Sequence, residues 1–192
     1  RAEERYDRMV AFGELISTTI ISEWLNFAGI ANHWVDMRRT FVTQFRHKDA
    51  NVFIEESTPL LRREVAGSAE RIFVGQGFIG SAADGSTTTL GREGSDYSAA
   101  VVAHILDAES MTVWKDVDGI LNADPKIFPD AKKLERVKAT EVLAMNLKAI
   151  DATATAFSLS TGIPVHVFGL KDPSDIERAV KGEIDGTVIT AE

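Results

Sequence analysis

The segment between residues 71 and 106 constrains the fold of this chain more than any other. An apolar run from Arg71 to Gln76 predicts a buried strand, and an apolar-rich pattern from Ser95 to about Leu106 predicts a helix. Between them lies a long polar loop with glycines at positions 77, 80, 85, 91 and 94. A strand, a glycine-rich loop and a helix N-terminus together direct backbone N–H groups toward an anion. We therefore predict a phosphate or carboxylate site here.

The rest of the chain alternates between strand and helix patterns. Predicted helices cover residues 3–27, 59–65, 140–147, 151–159 and 173–181, and predicted strands cover 33–37, 51–54, 110–114, 164–168 and 186–189. Pro59 is expected in the first turn of its helix, entered through Ser57 and Thr58. This alternation implies an α/β fold, a three-layer αβα sandwich with a mainly parallel sheet covered on both faces. A length of 192 residues suits a single domain.

Composition excludes several classes of protein. The formal net charge of −8 argues against nucleic acid as the main partner. The chain has no cysteine, which excludes disulfides, thiolate metal sites and thiol catalysis, and a reducing cytoplasm is the simplest setting. No apolar run approaches the roughly 20 residues that cross a bilayer. The chain begins at Arg1 inside a predicted helix, so we expect that an N-terminal part of the natural protein is missing from this sequence.

Two polar loops, residues 77–94 and 115–124, both leave the carboxyl ends of predicted strands, where ligands sit in open parallel sheets. Each loop could also be an ordinary surface connection. Arg92 is either a solvated loop residue or a guanidinium that holds a carboxylate or phosphate through two parallel bonds. Ser95 suits the N-cap of the following helix and Asp96 its first turn. Because an anion is a poor phosphate ligand, a functional Asp96 would hold a lysine or a magnesium ion beside the phosphates.

A protein-bound metal site is not expected. Residues 116–119 superficially resemble a calcium loop, but Ile120 and Leu121 stand where a further acid and the turn glycine belong. The four histidines show no ligand spacing. The threonines at positions 87–89 either supply hydroxyl donors or form an edge strand.

Three stretches of the chain resemble aspartate kinases of the amino-acid-kinase superfamily. Residues 77–80 read Gly-Phe-Ile-Gly and residues 87–97 read Thr-Thr-Thr-Leu-Gly-Arg-Glu-Gly-Ser-Asp-Tyr, which is similar to the substrate and phosphate loop of that family. Residues 11–14, Ala-Phe-Gly-Glu, resemble its Ser-aromatic-Gly-Glu motif, and residues 114–119 with Asp124 and Pro125 resemble its nucleotide loop. The resemblance covers most of residues 10–136.

The remainder, about residues 138–190, is similar to bacterial uridylate kinases of the same superfamily, so the chain resembles a mosaic of two relatives. The aspartate kinase opening strand, Lys-Phe-Gly-Gly, supplies a phosphate-binding lysine and has no counterpart here. The C-terminal regulatory region of aspartate kinases has none either. The resemblance therefore implies one amino-acid-kinase-like catalytic domain over residues 1–192, incomplete at its N-terminus and without a regulatory domain.

Carried over residue by residue, the resemblance implies specific roles. Arg92 would grip a substrate carboxylate and Glu14 would face the amino group of aspartate, in a pocket lined by Phe78 and Thr89. Asp96 would be the catalytic residue that organises lysines at the transferring phosphoryl group. The remaining roles fall to Gly91, Gly94 and Ser95 in the phosphate loop and to Lys115, Asp116, Lys126 and Lys148 beside the nucleotide. The family's usual arginine is a lysine at Lys126, and its tyrosine is Leu121.

The resemblance implies ATP-dependent phosphorylation of the side-chain carboxylate of L-aspartate, the first step of lysine, threonine and methionine synthesis. ATP and magnesium would be the cofactors, and a cytoplasmic homo-oligomer that binds neither nucleic acid nor membrane is expected. Two alternatives stay open. One is a uridylate kinase of the same superfamily, and the other is a truncated or chimeric domain that binds nucleotide without transferring phosphate.

Overall fold

A computed structural model describes residues 2–91, 94–116, 119–123, 127–145, 150 and 152–191. The chain divides into two compact units, Arg1–Val101 and Val102–Glu192. Helices and mostly parallel strands alternate through both, which confirms the α/β fold class. Within the described residues, the hydrogen-bonded strands form groups of two and three in the first unit and of four in the second.

The first unit contains two small sheets and a long helix. Its elements are α1 (Ala2–Phe27), β1 (His33–Val35), a 3₁₀ helix (Met37–Arg39), β2 (Val42–Thr43), α2 (Ile54–Ala66), β3 (Phe73–Gly75), β4 (Ile79–Ala82), β5 (Thr87–Thr89) and the start of α3 (Gly94–Ile105). Strand β1 pairs in parallel with β3, and β2 pairs in parallel with β4, which is antiparallel to β5. Helix α1 packs on β1, β3 and β5.

The second unit is built on one four-stranded sheet. Its elements are β6 (Met111–Lys115), β7 (Arg136–Lys138), α4 (Ala139–Ala144), α5 (Ala152–Thr161), β8 (Val165–Gly169), α6 (Ser174–Val180) and β9 (Thr187–Thr190). The strand order is β6-β8-β9-β7, and only the β8–β9 pair is antiparallel. Val165, Val167 and Ile189 are fully buried at its centre. β-Branched side chains at these positions pack well on a pleated surface, which accounts for the strands.

The long loop predicted over residues 77–94 is largely a β-hairpin. Strands β4 and β5 pair within it, and Gly85 takes a φ of +83° in the turn. The Asp84 carboxylate accepts from the Ser86 backbone N–H at 2.9 Å and from its hydroxyl at 2.6 Å. Asp-Gly between two strands is a strong hairpin signal, so residues 84–85 by themselves already indicate a hairpin turn. The edge-strand interpretation of the threonines at 87–89 is the one that the structure supports.

The predicted strand over 51–54 and the predicted start of the next helix at Pro59 are wrong. Helix α2 begins at Ile54 and contains Pro59 in its interior, while Val52 makes only an isolated bridge with Thr43. The Ser57 hydroxyl, expected near the helix entry, instead accepts from the Val42 backbone N–H at 3.0 Å. A tertiary contact thus uses the side chain that local reasoning assigned to the helix start.

Other predicted elements are confirmed with shifted ends. The first strand ends at Val35 because the Asp36 carboxylate accepts from the Arg38 N–H and begins a 3₁₀ turn. Strand β7 was not predicted, since its three residues lie among charged ones. Within the described residues, no helix is long and apolar enough to cross a membrane.

The apolar stripe of α1 does not face the core. Ile16, Ile20 and Trp24 are 57%, 63% and 62% exposed, and Phe27 is 90% exposed. The buried face is instead small and polar, formed by Asp7, Ala11, Thr18 and Ser22. The periodicity correctly predicted the helix but would have assigned the wrong side to the strands.

Candidate active site

A strained turn at Phe78 follows the carboxyl end of β3. Phe78 has a φ of +69°, a conformation that non-glycine residues rarely adopt. Its backbone N–H donates to the Ser98 hydroxyl at 2.8 Å, and its carbonyl accepts from the Leu90 N–H at 2.8 Å. A Cβ on Gly77 would lie 3.0 Å from the Ser95 Cα, so this approach requires glycine. The turn is therefore held against the first turn of α3, and backbone strain of this kind clusters at functional sites.

The start of α3 carries the residues predicted to bind phosphate. The Ser98 hydroxyl donates to the Gly94 carbonyl at 2.6 Å, and a Cβ on Gly94 would lie 2.9 Å from that of Leu90. Ser95 is exposed and Asp96, in the first turn, is half-buried. The first N–H groups of a helix have no intrahelical acceptors. The helix start thus has the geometry of an anion site.

Gly91 joins β5 to this helix in a conformation that favours glycine. Its φ is +82°, and a Cβ there would lie 2.9 Å from the Asp49 Oδ1 atom. Either feature alone disfavours a side chain. The backbone at Gly91 is therefore closely packed against the segment around Asp49.

Glu14 lies on α1, and its backbone is connected to the carboxyl ends of β1 and β3. Its carbonyl accepts from the Thr18 hydroxyl at 2.7 Å, and that hydroxyl accepts from Gln76 Nε2 at 2.8 Å and from Trp34 Nε1 at 3.1 Å. The Gln76 Oε1 atom accepts from the Met37 N–H at 2.9 Å. The Glu14 carboxylate has no partner among the described residues. Sequence reasoning missed Gln76, although a polar residue between two glycines at a strand end was a visible signal.

Thr89 is 1% exposed and its backbone and side chain are both engaged. Its hydroxyl donates to the Asp7 Oδ1 atom at 2.8 Å. Because that proton is used, the Thr89 hydroxyl could only accept a hydrogen bond from a ligand. Its predicted place in the substrate pocket, like that of Phe78, stays a prediction.

Two ionisable groups near the loops have shifted pKa values. Burial raises the pKa of the Tyr97 phenol, and a backbone hydrogen bond from Val52 partly offsets it. Burial acts to raise the pKa of Asp36, but the Arg38 guanidinium, 2.7 Å from the carboxylate, outweighs it and holds that pKa below its ordinary value. Asp36 is therefore committed to an ion pair beside the carboxyl end of β1.

Two of the residues predicted to contact the nucleotide lie at the carboxyl end of β6. Lys115 is the last residue of that strand and pairs in register with Gly169 of β8, and Asp116 follows it and is exposed. The Lys115 carbonyl accepts from the Leu170 N–H at 2.8 Å. Two parallel strands therefore end at the same edge of the sheet, as the sequence predicted for this loop.

Thr187 organises the loop that follows Asp116. Its hydroxyl donates to the Leu134 carbonyl at 2.6 Å and accepts from the Ile120 N–H at 2.8 Å. Gly119, with a φ of +113°, has space for no Cβ, because one would lie 2.7 Å from the Thr187 hydroxyl oxygen. Thr187 was assigned only to a strand by sequence reasoning, and its role depends on a contact across the sheet.

A Thr187→Val variant should lower the free energy of unfolding by about 1–2 kcal/mol, because the buried Ile120 N–H and the partly buried Leu134 carbonyl lose their shared partner. Urea unfolding measures this. Thr187→Ser, which keeps the hydroxyl, is the matched control and should retain most of the stability. A loss in Thr187→Ser with none in Thr187→Val would show that the methyl group, and not the hydroxyl, matters.

Three predicted site residues, Arg92, Lys126 and Lys148, lie outside the described residues. Among the residues that are described, no group of three His, Cys, Asp or Glu side chains could hold a metal ion. The structure brings Phe78, Gly91, Gly94, Ser95 and Thr89 into one connected segment of the first unit. Lys115 and Asp116 belong to the second unit.

A strand, a glycine-punctuated connection and a helix N-terminus form the arrangement typical of phosphate-binding α/β proteins. A second polar loop follows the carboxyl end of β6, where α/β proteins commonly bind their ligands. The chain belongs to the amino acid kinase family, whose sequence profile matches residues 1–169.

Within that family the chain is similar to aspartokinases. It is 34% identical over 171 residues to the lysine-sensitive aspartokinase 3 of Escherichia coli, covering 87% of this chain and 38% of that protein. The crystal structure of E. coli aspartokinase III in complex with aspartate and ADP superposes with a TM-score of 0.84 at 33% identity, over 99% of this chain and 41% of that one. The chain thus spans less than half the length of these relatives.

A uridylate kinase has the same fold. The crystal structure of UMP kinase from Ureaplasma parvum matches with a TM-score of 0.70 at 20% identity, over 96% of this chain and 70% of that one. This likeness supports the fold assignment alone.

Proposed function

We propose that this chain carries the acceptor and nucleotide loops of an aspartate kinase, which phosphorylates the side-chain carboxylate of L-aspartate with ATP. The observation that carries the proposal is the strained Phe78 turn, bonded to the first turns of α3 at Ser98 and to Leu90 in the segment that leads to Arg92. This arrangement holds Leu90 and Gly91, which directly precede Arg92 in the chain, beside the start of α3. It supports recognition of a substrate carboxylate together with the phosphoryl group that is transferred to the substrate.

The reaction would be a direct in-line transfer. A side-chain carboxylate oxygen of aspartate attacks the γ-phosphorus of ATP, the bond to the bridging oxygen breaks, and ADP leaves with that electron pair. Arg92 would hold a substrate carboxylate, and Glu14 would accept from the substrate ammonium. The exposed Ser95 and the N-terminus of α3 would stabilise charge at the phosphoryl group, with Asp96 orienting lysines there.

Lys115 and Asp116, at the carboxyl end of β6, would contact ATP, together with Lys126 and Lys148. Magnesium, supplied with ATP, would neutralise charge on the phosphates, and Asp96 is the residue that would hold it or a lysine there. Magnesium bound in this way needs few protein carboxylates. We expect no dedicated protein metal site.

An assay coupled to ADP release tests the proposal with L-aspartate and UMP offered separately as acceptors. We expect ADP release with L-aspartate and none above background with UMP. Turnover of UMP alone would overturn the proposal in favour of the uridylate kinase alternative. ATP binding by calorimetry without ADP release with either acceptor would instead support the non-catalytic nucleotide-binding alternative.

A further inference from the structure

Asp7, on the first turns of α1, is a buried carboxylate that the proposed reaction does not use. It is 0% exposed. It accepts from the Thr89 hydroxyl at 2.8 Å, from the Thr89 N–H at 3.3 Å and from the Lys48 N–H at 3.1 Å. His47 Nδ1 lies 2.8 Å from its Oδ2 atom. A buried carboxylate is tolerated only where such donors surround it.

The donors come from two segments that both adjoin Gly91. Thr89 precedes Gly91 by two residues, and its carbonyl accepts from the Ala50 N–H at 2.9 Å. Lys48 has a φ of +68° and is followed by Asp49, whose Oδ1 atom would lie 2.9 Å from a Cβ on Gly91. We define residues 89–91 as the acceptor segment. Asp7 therefore connects this segment, through Thr89, to the neighbouring segment at Lys48.

The other charged groups of this region have partners of their own. The Lys48 ammonium lies 3.9 Å from the Glu3 carboxylate and 5.0 Å from the centre of the Tyr6 ring. Asp49 pairs with Arg46 at 2.7 Å. Among the described residues, the bonds to Asp7 thus come from His47 and from the backbone and hydroxyl groups of the two segments, not from a lysine or arginine side chain.

We propose that Asp7 is the positioning residue of the acceptor segment, which directly precedes Arg92 in the chain. This inference rests on the proposed function. Asp7 is too deeply buried to touch the substrate, so it acts through Thr89, Lys48 and Gly91. Its loss should affect the carboxylate acceptor and leave the nucleotide loop of the second unit unchanged.

Asp7→Asn tests the proposal at nearly constant side-chain volume. The asparagine amide would place N–H donors against groups of the loop that are themselves donors. We expect the Kd of L-aspartate to rise about tenfold and the Kd of ATP to change by less than about twofold, both measured by calorimetry. An unchanged Kd of L-aspartate, or equal weakening of both ligands, would overturn the proposal.

Asp175→Asn is the matched control. Asp175 is also buried and accepts from the Lys171 and Asp172 backbone N–H groups at 3.0 Å, but it lies in the second unit. This variant should lose stability without changing the Kd of L-aspartate. If it weakens L-aspartate as much as Asp7→Asn does, general destabilisation explains both results and the proposal fails.

Amide hydrogen exchange separates this inference from the proposed function. In Asp7→Asn, the Lys48 and Thr89 amides should exchange faster while the rest of the first unit exchanges as before. If the parent chain binds no L-aspartate, the proposed function fails, and the exchange result alone decides whether Asp7 positions the segment. Uniform acceleration would overturn the positioning role.

If Asp7→Asn does not fold, His47→Gln changes one donor to the carboxylate and keeps the carboxylate itself. A rise of about threefold in the Kd of L-aspartate with unchanged ATP binding supports the proposal. No change in either Kd overturns it.

Discussion

An Arg92→Ala variant should bind L-aspartate about a hundredfold more weakly than the parent chain, a loss of about 2.7 kcal/mol. A guanidinium holds a carboxylate through two parallel charged bonds, and alanine leaves that carboxylate without a partner. ATP binding should change little, because Lys115 and Asp116 belong to a different loop. Calorimetric titration with each ligand measures the two effects. Equal loss of both affinities would contradict the role assigned to Arg92.

Two further variants show whether the guanidinium itself is responsible. Arg92→Lys keeps the positive charge but loses the paired donors of the guanidinium. It should bind L-aspartate at least about tenfold more tightly than Arg92→Ala does. Arg63→Ala removes an exposed arginine from the last turn of α2 and should leave both ligands unaffected. A comparable loss in Arg63→Ala would indicate a general electrostatic effect of lowering the positive charge.

A Gly80→Ala variant should lower the free energy of unfolding by about 3 kcal/mol, because the core around β4 has no room for a methyl group. Its Cβ would lie 2.6 Å from the Thr43 Cγ2 atom and 3.1 Å from the Phe41 carbonyl oxygen. Neither neighbour can move easily, since Phe41 is fully buried and Thr43 is hydrogen-bonded to Thr88 at 2.7 Å. Urea unfolding should show a lower midpoint with an unchanged slope.

Gly13→Ala is the matched control for that substitution and should have the opposite sign. Gly13 lies inside α1, and a Cβ there would meet nothing within 4 Å. Alanine in a helix interior is more stable than glycine by roughly 0.5–1 kcal/mol. Destabilisation by Gly13→Ala would show that α1 is packed on this side, and a neutral Gly80→Ala would contradict the tight contact at β4.

Local patterns in the sequence predicted whether most segments form a helix or a strand, but they did not predict the hydrogen-bond partners of the side chains. The alternation of apolar runs with helical periodicity correctly indicated the α/β class and most of its helices and strands in outline. The helix start at Ile54 was missed because Ser57 bonds to β2 instead of to its own helix. A hydroxyl can satisfy either a local or a distant N–H, and sequence does not say which.

The same distinction applies to the residues of the candidate site. The glycines and the charged residues at positions 91–96 were recognisable because their order resembles a known loop. The positions of Gln76, Thr187 and Asp7 were not, since each residue acts through partners far away in the chain. Asp7 bonds to Thr89 across 82 positions, and Gln76 bonds to Thr18 across 58.

By itself, the sequence determined the apolar periodicity of the helices and strands and the positions of glycine in the acceptor loop, because both depend on neighbours in the chain. Only the tertiary structure decided which face of α1 is buried, since a small polar face can pack more closely on strands than a stripe of large apolar residues. It likewise decided why Gly77, Gly91 and Gly94 are glycines. In each case an atom of another residue lies within about 3 Å of the position that a Cβ would take, and such approaches exist only after the chain has folded.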